Sequence, residues 1–191
     1  LGVREIAAPE AAAAGECVVI RSHGVSRAVM EALEKMGVEI VDATCPFVKK
    51  IHRIISAAAE NGQQPVIIGT RAHPEVQAIA GWCSAPLVFE TPEEFASWLA
   101  DDAKRTEIPI RMVCQTTSTQ NLWKKTCEIA KKECTNCEIF DTICKATEMR
   151  QKEATTLAKQ CDAMVVVGDA RSSNTGRLAD ICRQYCKHVA L

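Results

Sequence analysis

Short apolar runs and helix-period segments take turns along the 191-residue chain. The runs at 18–20, 38–41, 66–68, 87–89, 110–113, 138–140 and 164–167 are short and mostly β-branched, and turn residues bound several of them. That pattern predicts strands. Between them, apolar positions recur at helical spacing over about 25–36, 46–61, 74–81, 92–100, 118–133, 147–160 and 174–186. The fourth of these helices carries a start signal, with Thr91 as N-cap, Pro92 in the first position and Glu94 in the third. Strands alternating with helices predict an α/β fold with parallel sheets.

The alternation hides a repeat. Three strand ends run through a polar loop into a helix: VVIRSHGVSRAVMEAL at 18–33, VIIGTRAHPEVQAIAG at 66–81 and VVVGDARSSNTGRLADI at 165–181. A second unit, an apolar strand followed by Asp-x-x-Cys and a helix, occurs as VEIVDATC at 38–45 and CEIFDTIC at 137–144. Ligands of parallel α/β folds sit beyond the C-terminal strand ends. The polar loops therefore read as copies of one unit aimed at a shared centre.

Composition narrows the class. The net charge is −1, with no run of Lys and Arg, which argues against a nucleic-acid binder and a polybasic membrane anchor. No apolar stretch approaches the ~18 residues of a membrane span, and no signal peptide is evident, so a cytoplasmic protein is expected. Eleven cysteines, an odd number without a secretion signal, fit a disulfide framework poorly; most read as reduced, buried side chains. A start at Leu1 and an end within an apolar stretch read as a piece of a longer protein.

Cys45 and Cys144 stand out because each lies where a strand hands over to a helix, where the helix dipole favours the thiolate. Either could also be a buried turn cysteine; the repeated context argues for ligands. Cys134 and Cys137 form a C-x-x-C pair that a zinc or redox-responsive binding module could use, but no histidine is near and the pair precedes a strand. His23 and His73 hold matching loop places, with Ser172, Ser173 and Asn174 at the third and Gln115, Thr116 and Thr117 at another strand end. Histidines, hydroxyls and helix N-termini together suit a diphosphate. Glu75 is placed either as a proton donor or as a first-turn acid that favours the dipole. Met30, Met36, Met149 and the tryptophans read as packing, His52 as a residue behind the site or on the surface, and Asp42 and Asp141 as turn formers.

SHGVS (22–26), DATCP (42–46) with KKIH (49–52), HPEV (73–76), QTT (115–117), D-x-IC-x-AT-x-x-RQ (141–151) and SSN (172–174) occur in one order across nearly the whole chain. In this the sequence resembles the 4-hydroxy-3-methylbut-2-enyl diphosphate reductase family. The resemblance implies a trefoil-like arrangement of three pseudo-symmetric α/β units. Here they would be the late part of the first (1–45), the second (46–141) and an incomplete third (142–191). It implies an oxygen-sensitive [4Fe–4S] cluster on three cysteines, with the fourth iron binding the substrate hydroxyl. Two electrons and two protons would remove that hydroxyl as water, giving isopentenyl and dimethylallyl diphosphates, with ferredoxin or flavodoxin as electron donor. Cys45 and Cys144 match two of the cluster ligands. His23, His73, Thr117, Ser172, Ser173 and Asn174 match substrate contacts, Thr116 a contact near the substrate hydroxyl, and Glu75 the proton donor. The family's first cluster cysteine, an early histidine and a late serine have no counterpart; Cys17 heads a strand and does not fill the gap.

Overall fold

A computed structural model describes residues 2–169 and 171–191; Leu1 and Ala170, the latter in the loop before Ser172, lie outside the described residues. Strand and helix alternate in chain order: β1 (Cys17–Ile20), α1 (Arg27–Met36), β2 (Glu39–Asp42), α2 (Pro46–Glu60), β3 (Gln64–Ile68), α3 (Pro74–Ala80), β4 (Leu87–Phe89), α4 (Pro92–Ala100), β5 (Ile110–Cys114), α5 (Gln120–Glu133), β6 (Cys137–Ile139), α6 (Lys145–Ala158), β7 (Ala163–Val165), α7 (Ser173–Arg183) and β8 (His188–Ala190). Every strand pair formed by the described residues is parallel. They make three sheets: β1-β2, the central β4-β3-β5-β6, and β7-β8.

The central sheet is covered on both faces, as parallel sheets require. Side chains alternate along β3, so Ile67 packs with Ile51, Ile55, Val76, Ile79 and Val113 under α2 and α3. Val66 and Ile68 point the other way, into a cluster with Phe95, Leu99, Met112 and Trp123 under α4 and α5. The two outer sheets are thinner. Val19 is 58% exposed and Val165 71%, while Val66, Ile67 and Ile68 are fully buried.

One joint ties the first sheet to the central one. The Ser26 hydroxyl caps α1 by accepting from Val29 N. Just beyond it, Arg27 N donates to the Gly81 carbonyl at the end of α3. A Cβ on Gly81 would lie 2.2 Å from Ser26 Cβ, so only glycine permits this approach. Trp82 Nε1 donates to the Val25 carbonyl at 2.8 Å, and its ring stacks on His52 of α2 at 4.9 Å. His52 is buried and packs against the turn at Gly24, directly after His23.

Most expected elements form where the pattern puts them. The capping box is present with a variation: Thr91 accepts from Glu94 N, while the Glu94 carboxylate reaches Glu90 N rather than the cap residue itself. The strand β8 and the 3-10 turns at Pro9–Ala11 and Ala103–Thr106 were not expected. Met149, expected as packing, is 65% exposed.

Candidate active site

The two Asp-x-x-Cys segments fold into the same turn. After β2, Asp42 Oδ1 accepts from Thr44 N, and after the β6 strand Asp141 Oδ1 accepts from Ile143 N. Each aspartate closes an Asx turn on its own chain, the turn-forming role expected of it. The cysteine amide then donates sideways to the loop after the neighbouring strand: Cys45 N to the Ser22 carbonyl, Cys144 N to the Thr116 carbonyl, both at 3.0 Å. Cys45 and Cys144 come to rest as N-caps of α2 and α6, and neither thiol is used as a capping acceptor. Both are free and half-buried.

The loops after β1 and β3 bring His23 and His73 edge to face, 5.4 Å apart. His73 caps α3 by accepting from Glu75 N at its Nδ1, 3.1 Å away. A nitrogen that accepts carries no proton, so the cap fixes His73 in the Nε2–H form and leaves that N–H as a donor. Burial, helped by the charges of His23, Arg177 and Arg21, pulls its pKa down to about 4. Burial also lowers that of His23. The pair is therefore neutral at physiological pH. His23 Nδ1 is buried without a protein partner among the described residues, as is Asn174 Oδ1. Such atoms carry a desolvation cost unless a ligand meets them.

Glu75 sits in the first turn of α3, 3% exposed. Its carboxylate is held by Thr116 alone among the described residues: Oε1 accepts the backbone N–H at 2.6 Å, and Oε2 accepts the hydroxyl at 2.7 Å. Burial raises its pKa, while these two bonds pull the other way. Glu75 occupies the first helical turn, as one of the two sequence readings had it, with its carboxylate turned onto Thr116.

Thr116 thus links Cys144 through its carbonyl to Glu75 through its N–H and hydroxyl. Beside it, Thr117 Oγ1 lies 3.1 Å from Ser173 Oγ, and Ser172 caps α7 by accepting from Thr175 N. Gln115 is fully buried under these hydroxyls. Two neighbours were not anticipated. Arg177 Nε reaches Ser173 Oγ and its Nη2 reaches Thr70 Oγ1, each at 3.4 Å. Arg177 lies one helical turn beyond Ser173, so the i,i+4 spacing on α7 was the available signal.

Among the described residues no group of three or more His, Cys, Asp and Glu side chains is arranged to hold a metal ion. That includes the Cys134–Cys137 segment. Burial pushes the Cys137 thiol up to about 12 and that of neighbouring Cys127 to about 11, so both are protonated and unreactive near neutrality. The zinc or redox-module alternative finds no support in this geometry.

A family model described as "LytB protein" matches residues 1–191. The chain belongs to the LytB family. It is 39% identical to the 4-hydroxy-3-methylbut-2-enyl diphosphate reductase of Caldanaerobacter subterraneus subsp. tengcongensis, over 92% of this chain and 59% of that one. To the enzyme of the same name from Clostridioides difficile it is 36% identical, over 92% of this chain and 62% of the other. The chain thus spans about three-fifths of the length of these curated LytB-family relatives. A solved structure of (E)-4-hydroxy-3-methyl-but-2-enyl diphosphate reductase, titled the terminal enzyme of the non-mevalonate pathway, superposes with a TM-score of 0.66 at 31% identity, covering 95% of this chain and 65% of that one. The Plasmodium falciparum reductase superposes with a TM-score of 0.87 at 24% identity, covering 97% and 58%, a likeness of fold. The trefoil-like α/β arrangement expected from the motifs is the fold of these structures. No helix of the described residues is long and apolar enough to cross a membrane.

Proposed function

We propose that the protein carrying this chain reduces 4-hydroxy-3-methylbut-2-enyl diphosphate to isopentenyl and dimethylallyl diphosphates, the last step of non-mevalonate isoprenoid synthesis. The observation that carries this reading is the buried Glu75–Thr116 pair, tied to Cys144 on one side and beside the neutral His23–His73 pair on the other.

The donor chemistry fits an iron–sulfur group in part. Cys45 and Cys144 offer two free, half-buried thiols at helix N-termini, neither used as a capping acceptor. They would hold two irons of a [4Fe–4S] cluster, with a third cysteine expected from sequence outside these 191 residues. When bound, that group supplies the electrons and a Lewis-acidic iron for the substrate hydroxyl.

The chain's own residues do the rest. His73 Nε2–H, His23, the Thr117 and Ser173 hydroxyls, Asn174 and the first turn of α7 at Ser172 offer neutral donors to the diphosphate. Thr116 faces the substrate hydroxyl. Its own hydroxyl hydrogen rests on Glu75 Oε2; once Glu75 is protonated, the carboxyl donates to Thr116 and the Thr116 hydrogen turns toward the leaving oxygen. The C–O bond breaks, the oxygen departs as water, and two electrons and two protons balance the product. We assign the electrons to ferredoxin or flavodoxin in the cytoplasm, and divide the chain into units at 1–45, 46–141 and 142–191.

The test is turnover of the diphosphate by the full-length protein under anaerobic conditions with a chemical one-electron reductant. Formation of both C5 diphosphates is expected. A loaded protein that leaves the substrate untouched overturns the reading.

A further inference from the structure

We propose that Gln115 and Arg177 are positioning residues that force the Thr117–Ser173 hydroxyl pair to present a hydrogen to a bound anion. The proposal rests on the reading of this cleft as a diphosphate site and adds what sets its polarity.

The Gln115 amide cannot be turned over, because Thr70 N donates to its Oε1 at 3.0 Å. Gly69 packs against the same side chain so closely that a Cβ there would lie 2.8 Å from Gln115 Cβ. Its Nε2 therefore faces the hydroxyls and donates, at 2.8 Å to Thr117 Oγ1 and 3.4 Å to Ser173 Oγ. Arg177 Nε adds another donor to Ser173 Oγ at 3.4 Å, and a guanidinium can never accept. These three N–H contacts take three of the four lone pairs of the two oxygens, and the Thr117–Ser173 contact takes the fourth.

Each hydroxyl has one hydrogen of its own. One of the two lies in the 3.1 Å contact between Thr117 and Ser173. The other has no acceptor among the described residues, and both side chains are half-buried rather than sealed. It is left free for a ligand on the open side of the pair, at the first turn of α7. The Arg177 guanidinium adds positive charge at Ser173; it acts on His73 and bonds hydroxyls rather than a carboxylate. A hydroxyl pair so wired favours an anionic acceptor over a donor or a cation.

The test uses the full-length protein and inorganic pyrophosphate, with affinity read by calorimetry at pH 8 and pH 5.5. Gln115→Glu keeps the shape but replaces the donor by a carboxylate. It should bind about 10- to 100-fold more weakly than wild type at pH 8. At pH 5.5 the ratio should recover to within about threefold, since a protonated Glu again offers an oxygen to Thr70 N–H and an O–H to Thr117. Wild type measured at the same two pH values corrects for the titration of His23, His73, Glu75 and pyrophosphate itself. Arg177→Met should weaken binding about tenfold at both pH values, and it reports the second donor even where Gln115→Glu does not fold. Wild-type-like affinity in Gln115→Glu at pH 8, a loss that does not recover on acidification, or unchanged affinity in Arg177→Met overturns the proposal. Absence of pyrophosphate binding by folded wild type removes the diphosphate reading itself, a result distinct from binding that ignores the substitutions.

Discussion

Glu75 shows how much depends on one buried side chain. Its carboxyl meets Thr116 and little else, and burial raises its pKa. It can therefore hold a proton at a pH where an exposed glutamate has lost it. Glu75→Gln keeps the size and an oxygen for Thr116 N but cannot deliver a proton. Turnover should fall by about 10²–10⁴-fold, the range of general acid catalysis, while the melting curve stays close to wild type. Wild-type activity should decline as pH rises through the raised value, because only the protonated carboxyl donates, and the Glu75→Gln variant should lack that limb. His52 gives a second residue-scale prediction. Buried against Trp82 with Nε2 unpartnered, its pKa is pulled from 6.5 to about 4. A depressed histidine stabilises the fold above its unfolded value, and that stability is lost as pH falls toward the folded one. From those values, His52 alone accounts for on the order of 2 kcal/mol of lost stability at pH 5 relative to pH 7. His52→Phe keeps the stack and should shrink the drop in melting temperature between pH 7 and pH 5; an unchanged drop contradicts this. Which of these residues could be read from sequence follows from spacing. His23, His73 and Glu75 share short motifs at strand ends, whereas Thr70 and Arg177 meet only because the loop after β3 and the helix α7 converge in space.

At the scale of elements, the two Asp-x-x-Cys turns are the clearest case of sequence dictating geometry. Aspartate, the i+2 amide, a sideways amide bond from cysteine and an N-cap recur in the same order after β2 and β6. The α1–α3 joint was less visible, because nothing local to Gly81 says that Ser26 will press on it. Gly81→Ala must push the two helices apart and should cost about 1–3 kcal/mol in urea unfolding. Gly176→Ala offers the contrast: its Cβ would meet nothing within 4 Å, inside α7, so it should stabilise by about 0.5–1 kcal/mol. Equal effects of the two substitutions would contradict the joint. The strand β8 escaped the sequence pattern because three residues show no period; it is recognisable only by pairing with β7. Met149 misled for a related reason: an apolar residue in a weakly amphipathic helix does not say which way it faces.

Across the whole molecule, burial is uneven. The central sheet has packed helices on both faces, whereas β1-β2 and β7-β8 leave valines open, Val165 to 71%. Amide exchange in this 191-residue chain should be slowest at Val66–Ile68 and Met112–Cys114 and much faster in β7 and β8. Uniform protection would contradict this picture. The α/β class and the parallel pairing followed from alternation alone, but the division into three sheets did not, since periodicity carries no information on which strands become neighbours. His23, His73, Thr117 and Ser172 stand on loops after strands of all three sheets, so the proposed activity is to be tested on the full-length protein. The most direct measurement is anaerobic reconstitution of the full-length protein with iron and sulfide, beside Cys45→Ser and Cys144→Ser, reading iron, sulfide and visible absorbance. The account predicts a cluster in wild type that neither variant forms stably. A cluster indifferent to both substitutions, or metal held instead by Cys134 and Cys137, would contradict it.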